Sequence, residues 1–188
     1  MPDLHRPMEP DRPEMEPRDV EAFVIEPADG IPNNPRLPLL VYRAVLLPEL
    51  TNAAACQSLF KRNSWGGNWV DGIYDYWHFH VTGHEALGCV AGSARVAFGG
   101  DAAGLLADVV AGDVVVIPAG VGHKLLEASP DFTVVGGYPP GQSGAITCPG
   151  DIDLEEAEER IAALDLPETD PVHGRAGLLT ERWQGQCS

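Results

Sequence analysis

The stretch GIYDYWHFHVTGHE at positions 72–85, answered further along by His123, limits this chain more than any other feature. Successive side chains of an extended segment project to opposite faces. His78 and His80 therefore share a face with Tyr74 and Tyr76, while Trp77 and Phe79 take the other. Two imidazoles so placed can reach one metal ion. Gly83 lets the chain bend, so that His84 or Glu85 can return toward the same point. Such a mixed nitrogen and oxygen site suits Fe, Mn, Ni, Cu or Zn. A His-x-His pair on a half-buried strand can also be two hydrogen-bonded core residues and nothing more. Four of the six histidines fall between positions 78 and 123, with a carboxylate among them, and that density favours the metal.

A length of 188 residues accommodates one domain with a substantial core. The 21 glycines and 17 prolines favour many turns over long helices. A formal charge of −16, from 28 acidic and 12 basic side chains, argues against a nucleic-acid or anionic-membrane surface, since both need basic patches. No apolar run approaches a membrane span. The N-terminus, proline-rich and charged, does not resemble a secretory signal. Cys56, Cys89, Cys148 and Cys187 are widely spaced and form no CxxC pair. A cytoplasmic protein with reduced thiols is the expectation.

Residues 1–18 read as a disordered tail, with Pro2, Pro7, Pro10, Pro13 and Pro17 among charges. Val20–Ile25 reads as an edge strand, the Gly30–Pro35 segment as turn chemistry, and Leu39–Leu46 as a second strand. Pro48 opens a helical segment to about Arg62, with Leu50, Ala54 and Leu59 available for a buried face. Asn63–Trp69 reads as a loop with two tryptophans, either covering a core end or walling a pocket. Tyr74–Val81, Glu85–Val90, Ser93–Phe98, Leu105–Val110, Asp113–Ile117 and Phe132–Tyr138 read as strands. Asp113–Ile117 is almost wholly apolar, as for a strand buried on both sides. The turn Pro118–Gly122 delivers His123 to a further strand. Asp151 or Asp153 can cap a helix carrying Leu154, Ala157, Ile161 and Leu164. The tail from Pro167 to Trp183 reads as irregular, packing back through Leu178, Leu179 and Trp183. The whole is all-β, an antiparallel sandwich or barrel with short flanking helices.

The sequence resembles the cupins. The motif G-x5-H-x-H-x(3,4)-E-x6-G is matched by Gly72, His78, His80, Glu85 and Gly92. The motif G-x5-P-x-G-x2-H-x3-N is matched by Gly112, Pro118, Gly120 and His123, with Glu127 in place of asparagine. Ile31–Pro35 with Leu37 and Pro38, His84-Glu85 with Leu87-Gly88, Val116–His123, Tyr138-Pro139 and Asp170–Gly174 are similar to the YjlB-like branch. The resemblance implies a jelly-roll barrel (double-stranded β-helix) over about 19–150, a helix and tail over 151–188, and a divalent metal on His78, His80, Glu85 and His123. Glu85 is favoured over His84 because its distance to Gly92 matches the motif. His84 then supports a ligand or faces the substrate as a base, or else an all-histidine site replaces the mixed one. Glu127 lies about 13 Å beyond His123 along an extended strand and is read as structural.

The expected cofactor is one divalent transition metal, Fe, Mn, Ni or Zn. With iron, the expected activity is a dioxygenase-type oxidoreductase acting on a small organic substrate. With Zn, Ni or Mn, it is a Lewis-acid isomerase or lyase. A non-catalytic small-ligand binder is the further alternative. Tyr76 can donate a hydrogen bond to a bound oxyanion or simply fill the barrel, and Cys89 has the parity of Glu85. Pairing through Val20–Ile25 or Leu39–Leu46 would make a homodimer.

Overall fold

The computed structural model describes residues 20–185, so the proline-rich stretch read as a disordered tail lies outside the described residues. Nine strands form two antiparallel sheets. Strands β1 (Val20–Ile25), β2 (Asn34–Tyr42), β3 (Gly66–Asp71), β4 (Glu85–Ala91), β7 (Val114–Ile117) and β9 (Thr133–Tyr138) make the larger sheet, in the order β1-β2-β7-β4-β9-β3. Strands β5 (Ser93–Phe98), β6 (Leu105–Val110) and β8 (His123–Ala128) make the smaller, in the order β6-β5-β8. Together they form the jelly-roll barrel.

The inner strands of the larger sheet, β2, β7, β4 and β9, are buried on both faces. Toward the smaller sheet they send Leu39, Val41, Leu87, Cys89, Val115 and Val134, which meet Val96, Phe98 and Val109. On their other face Leu40, Tyr42, Ala86, Val114, Val116 and Val135 pack against a helical layer. That layer comprises α1 (Ala53–Arg62), contributing Cys56, Leu59 and Phe60, and α3 (Leu178–Gln184), contributing Leu179 and Trp183. Double burial explains why β7 is apolar throughout. Gly88 lets α1 approach, because a β-carbon there would lie 2.6 Å from Cys56 Sγ.

Four elements differ from the sequence reading. β2 starts at Asn34 and contains Pro35 and Pro38, which is possible because pairing with β7 begins only at Leu40. Gly66–Asp71 is an edge strand on β9, not a loop, and Trp69 lies over Gly136, where no larger residue would fit. Residues 74–81 form no regular strand: His78 bridges His123 and Phe79 bridges Thr147, so their hydrogen bonds are split between two partners. The tail contains the helix α3. In α1 the buried face is Cys56, Leu59 and Phe60, with Ala54 exposed. Asp153 is the residue that caps α2 (Leu154–Ala162), accepting from the N–H groups of Glu155 and Glu156. No helix among the described residues is long and apolar enough to cross a membrane.

The tail is fastened by one carboxylate. Fully buried Asp170 accepts from the Tyr42 hydroxyl at 2.6 Å and from the N–H groups of Val172, His173 and Leu179 at 2.8, 3.0 and 3.2 Å. Burial alone would raise its pKa, but the His173 imidazole, with Nδ1 3.6 Å from Oδ1, the Tyr42 hydroxyl and the N–H groups of His173 and Val172 hold it below the ordinary 3.8. A carboxyl depressed in the folded state stabilises above its unfolded pKa, and that contribution is lost as pH falls through the folded value. Asp170→Asn should therefore be less stable than the parent at neutral pH, with the gap in denaturant midpoints narrowing below about pH 3.8. Tyr42→Phe should cost roughly 1.5–3 kcal/mol at neutral pH, as for a hydrogen bond to a charged group.

Candidate metal centre

Three buried imidazoles meet at one end of the barrel. His78 and His80 come from the irregular segment before β4, and His123 opens β8. The backbones of His78 and His123 bond each other in both directions, at 2.9 and 3.3 Å, which sets their rings 4.1 Å apart between centroids. His80 accepts through its carbonyl from the Gly120 N–H at 2.8 Å. Gly120 has φ of +91°, and a β-carbon there would run into the Asn33 carbonyl, so the turn before His123 requires glycine. One ring nitrogen from each imidazole lies within 4.8 Å of the other two.

The second ring nitrogens decide the tautomers. His78 Nδ1 lies 3.0 Å from the Tyr76 carbonyl, His80 Nδ1 3.0 Å from the Ala145 carbonyl, and His123 Nδ1 3.2 Å from the Val121 carbonyl. A carbonyl only accepts, so each Nδ1 carries its hydrogen and donates. In the neutral rings, Nε2 is then the free lone pair, the usual state of a metal-ligating histidine held from behind by a backbone oxygen.

Glu85 completes the group from the first position of β4. Its Oε2 lies 3.2 Å from His80 Nε2 and 3.5 Å from His123 Nε2, and its Oε1 accepts from the Tyr138 hydroxyl at 3.1 Å. That hydroxyl accepts in turn from the Trp69 indole N–H at 2.7 Å. A β-carbon on Gly144 would overlap the Tyr138 hydroxyl, so this glycine keeps its place open. Burial opposes the charge on Glu85, but the facing His80 and His123 outweigh it and drive its pKa down. Burial likewise opposes charge on His80, and Glu85 reverses the effect and raises it. His78, mainly through burial and then through His123, falls to about 3. Lone pairs from three rings and a carboxylate thus converge in a buried space, a donor set that fits a divalent cation.

A cavity of about 440 Å³ opens over these groups. Its walls include Trp69, Val70, Ile73, Leu87 and Ile146, with Tyr74 at the side.

The sequence reading named His78, His80, Glu85 and His123 as ligands of one metal, and the structure brings these four side chains together. That reading placed His84 and Tyr76 there too, and neither lines this cavity. His84 precedes Glu85 by one residue and so projects to the opposite face of the sheet. Its Nδ1 accepts from the Ala119 N–H at 2.9 Å, and its ring lies 4.8 Å from that of Trp183. Burial pushes its pKa down to about 4. Tyr76 is exposed, stacked on Tyr74 and tilted against His78 with ring centroids 5.5 Å apart. Cys89 faces the barrel core, where burial pushes its pKa up to about 11, and Glu127 is exposed on β8. Tyr138 was read as the end of a strand and as part of the YjlB-like pattern, with no role at the site. The signal for its role was its place on β9, next to β4 and at the same end as Glu85.

A β-barrel with a His-x-His, glutamate and distant histidine set at one end defines a cupin. The chain is 39% identical over 158 residues to a Bacillus subtilis (strain 168) protein named "Uncharacterized protein YjlB", covering 84% of this chain and 93% of that one. It belongs to the YjlB-like family of cupins. No family model matches the chain. Among solved structures it is similar to a mutant of Bacillus subtilis oxalate decarboxylase, with TM-score 0.37 and 19% identity over 59% of this chain, though it spans only 27% of that one. It is also similar to RmlC from Streptococcus suis in complex with dTDP-D-xylose, with TM-score 0.34 and 13% identity over 66% of this chain and 71% of that one.

Nitrogen-resolved NMR of metal-free protein at mildly alkaline pH checks the tautomers. His78 and His123 should carry hydrogen on Nδ1, and His84, whose Nδ1 is an acceptor, on Nε2. Hydrogen on Nε2 of His78 or His123 would contradict the site geometry.

Proposed function

We propose that this cupin is a divalent-metal enzyme acting on a small, largely apolar organic molecule, and that its reaction is an oxidation of the dioxygenase type. The observation that carries the reading is the convergence of three imidazole nitrogens and the Glu85 carboxylate beneath a cavity of about 440 Å³. His78, His80, Glu85 and His123 would hold the ion. A bound transition metal would supply Lewis acidity and, as iron, redox chemistry with dioxygen.

The protein's own part is positioning. The carbonyls of Tyr76, Ala145 and Val121 fix the three rings, and Tyr138 fixes Glu85 through Oε1, leaving Oε2 toward His80 and His123. Trp69 orients the Tyr138 hydroxyl so that its hydrogen is directed to Glu85. The apolar part of the wall favours a substrate with an apolar body, while the acidic chain disfavours large anions.

Isothermal titration of metal-free protein with Fe(II), Mn(II), Ni(II) and Zn(II) should give one equivalent bound. His80→Ala should weaken binding at least about 100-fold while keeping the thermal midpoint of the metal-free protein. Tyr138→Phe, which removes the support of Glu85, should weaken it about 10–100-fold. Oxygen uptake by the iron-loaded protein with a panel of β-diketones, catechols and keto acids should identify a substrate. Turnover without oxygen uptake would replace the oxidative reading by Lewis-acid isomerisation or elimination. No metal uptake at all would end both.

A further inference from the structure

A second cavity, of about 560 Å³, lies on the far side of β4 from the histidine cluster. Helix α2 and the segment after it roof it with Ile161, Leu164 and Leu166, and Pro27, Pro32 and Leu37 form its floor and flank. Its size falls in the range of small-molecule sites. Of the buried polar side chains around it, both asparagines are satisfied. Asn33 donates to the Glu26 and Gly99 carbonyls at 2.9 and 2.8 Å and accepts from the Gly122 N–H at 3.1 Å. Asn34 donates to the Ala119 carbonyl at 3.1 Å and accepts from the N–H groups of Arg36 and Leu37 at 3.2 and 2.8 Å.

His84 is the exception. It lines this cavity, is 1% exposed, and its Nε2 has no partner. Because Nδ1 accepts from Ala119, Nε2 carries the ring hydrogen, so the unpartnered atom is a donor. A buried donor left unsatisfied costs roughly 1–3 kcal/mol, a cost that an acceptor on a ligand would remove. Of the charged residues that line it, Arg36 is outnumbered by Glu26 and Glu158, which disfavours an anion, and the apolar lining disfavours a charged occupant of either sign.

We propose that this cavity is a second binding site, for a small uncharged apolar molecule bearing one carbonyl-type oxygen that accepts from His84 Nε2. It is independent of the metal reading.

The test is NMR titration of labelled full-length protein with acetophenone and, in parallel, with ethylbenzene, which has a similar shape and no oxygen. The amides of Leu37, Ala162 and Leu164 should move with acetophenone, and the His84 ring N–H resonance should move with them. In His84→Phe the affinity ratio of acetophenone to ethylbenzene should fall roughly fivefold or more, as for one lost hydrogen bond. Ile161→Trp, which fills the cavity from the helix, should abolish binding of both probes without moving the His78 and His123 ring signals. Should His84→Phe fail to fold, the ring N–H shift in the parent and the Ile161→Trp result decide the matter. The proposal is overturned if neither probe moves these amides, if acetophenone moves only the ring signals of His78, His80 and His123, or if the His84 ring hydrogen stays unmoved while the amides respond.

Discussion

Three buried imidazoles, each with its Nδ1 hydrogen given to a backbone carbonyl, turn their Nε2 atoms toward one another and toward a carboxylate held in its ionised form. Such a group repels itself unless positive charge lies among its members. A proton shared between His80 and Glu85 meets the need in part, which is why the pKa of one rises and that of the other falls. A divalent cation meets it for all four groups at once. The rest of the fold can be understood as scaffolding for this arrangement. The smaller sheet brings His123 in on β8, the glycine turn before it ties His80, and the larger sheet starts β4 with Glu85 facing the barrel.

The same strand divides the molecule into two chemical compartments. Inward from β4 are Glu85, Leu87 and Cys89, and outward are His84, Ala86 and Gly88. One residue of register therefore separates a ligand of the histidine cluster from a histidine that belongs to a wholly different cavity. A slip by one position would exchange them. The double burial of the sheet makes such a slip costly, because Ala86 and Gly88, fitted under the helical layer, would trade places with Leu87 and Cys89 of the barrel core and lose their contacts on both sides.

Much of this was legible in the residues. The apolar run at 114–117 announced a strand covered on both faces, and the hairpin of β5 and β6 followed from the glycines between them. The spacing of His78, His80, Glu85 and His123 carried the site. What was hidden has physical causes. Residues 74–81 alternate like a strand but lack a continuous partner, so alternation gave the correct face for His78 and His80 without regular structure. β3 was masked by its two glycines, which a central strand would not tolerate and this edge strand does. Alternation alone left His84 and Glu85 open, because it does not fix where β4 begins, and Glu85 was favoured only through its distance to Gly92 in the motif. Tyr138 gained its role from a neighbour 53 positions away, which only the folded chain brings near.

The central claim is that a metal ion, not merely a proton, belongs among these side chains. Anomalous diffraction from crystals grown with a single transition metal, recorded on both sides of its absorption edge, addresses this directly. A single peak about 2.0–2.2 Å from Nε2 of His78, His80 and His123, with Glu85 Oε2 beside it, is the predicted result. Ordered water in that position at saturating metal, with the histidine side chains bonded only to one another and to Glu85, would contradict it.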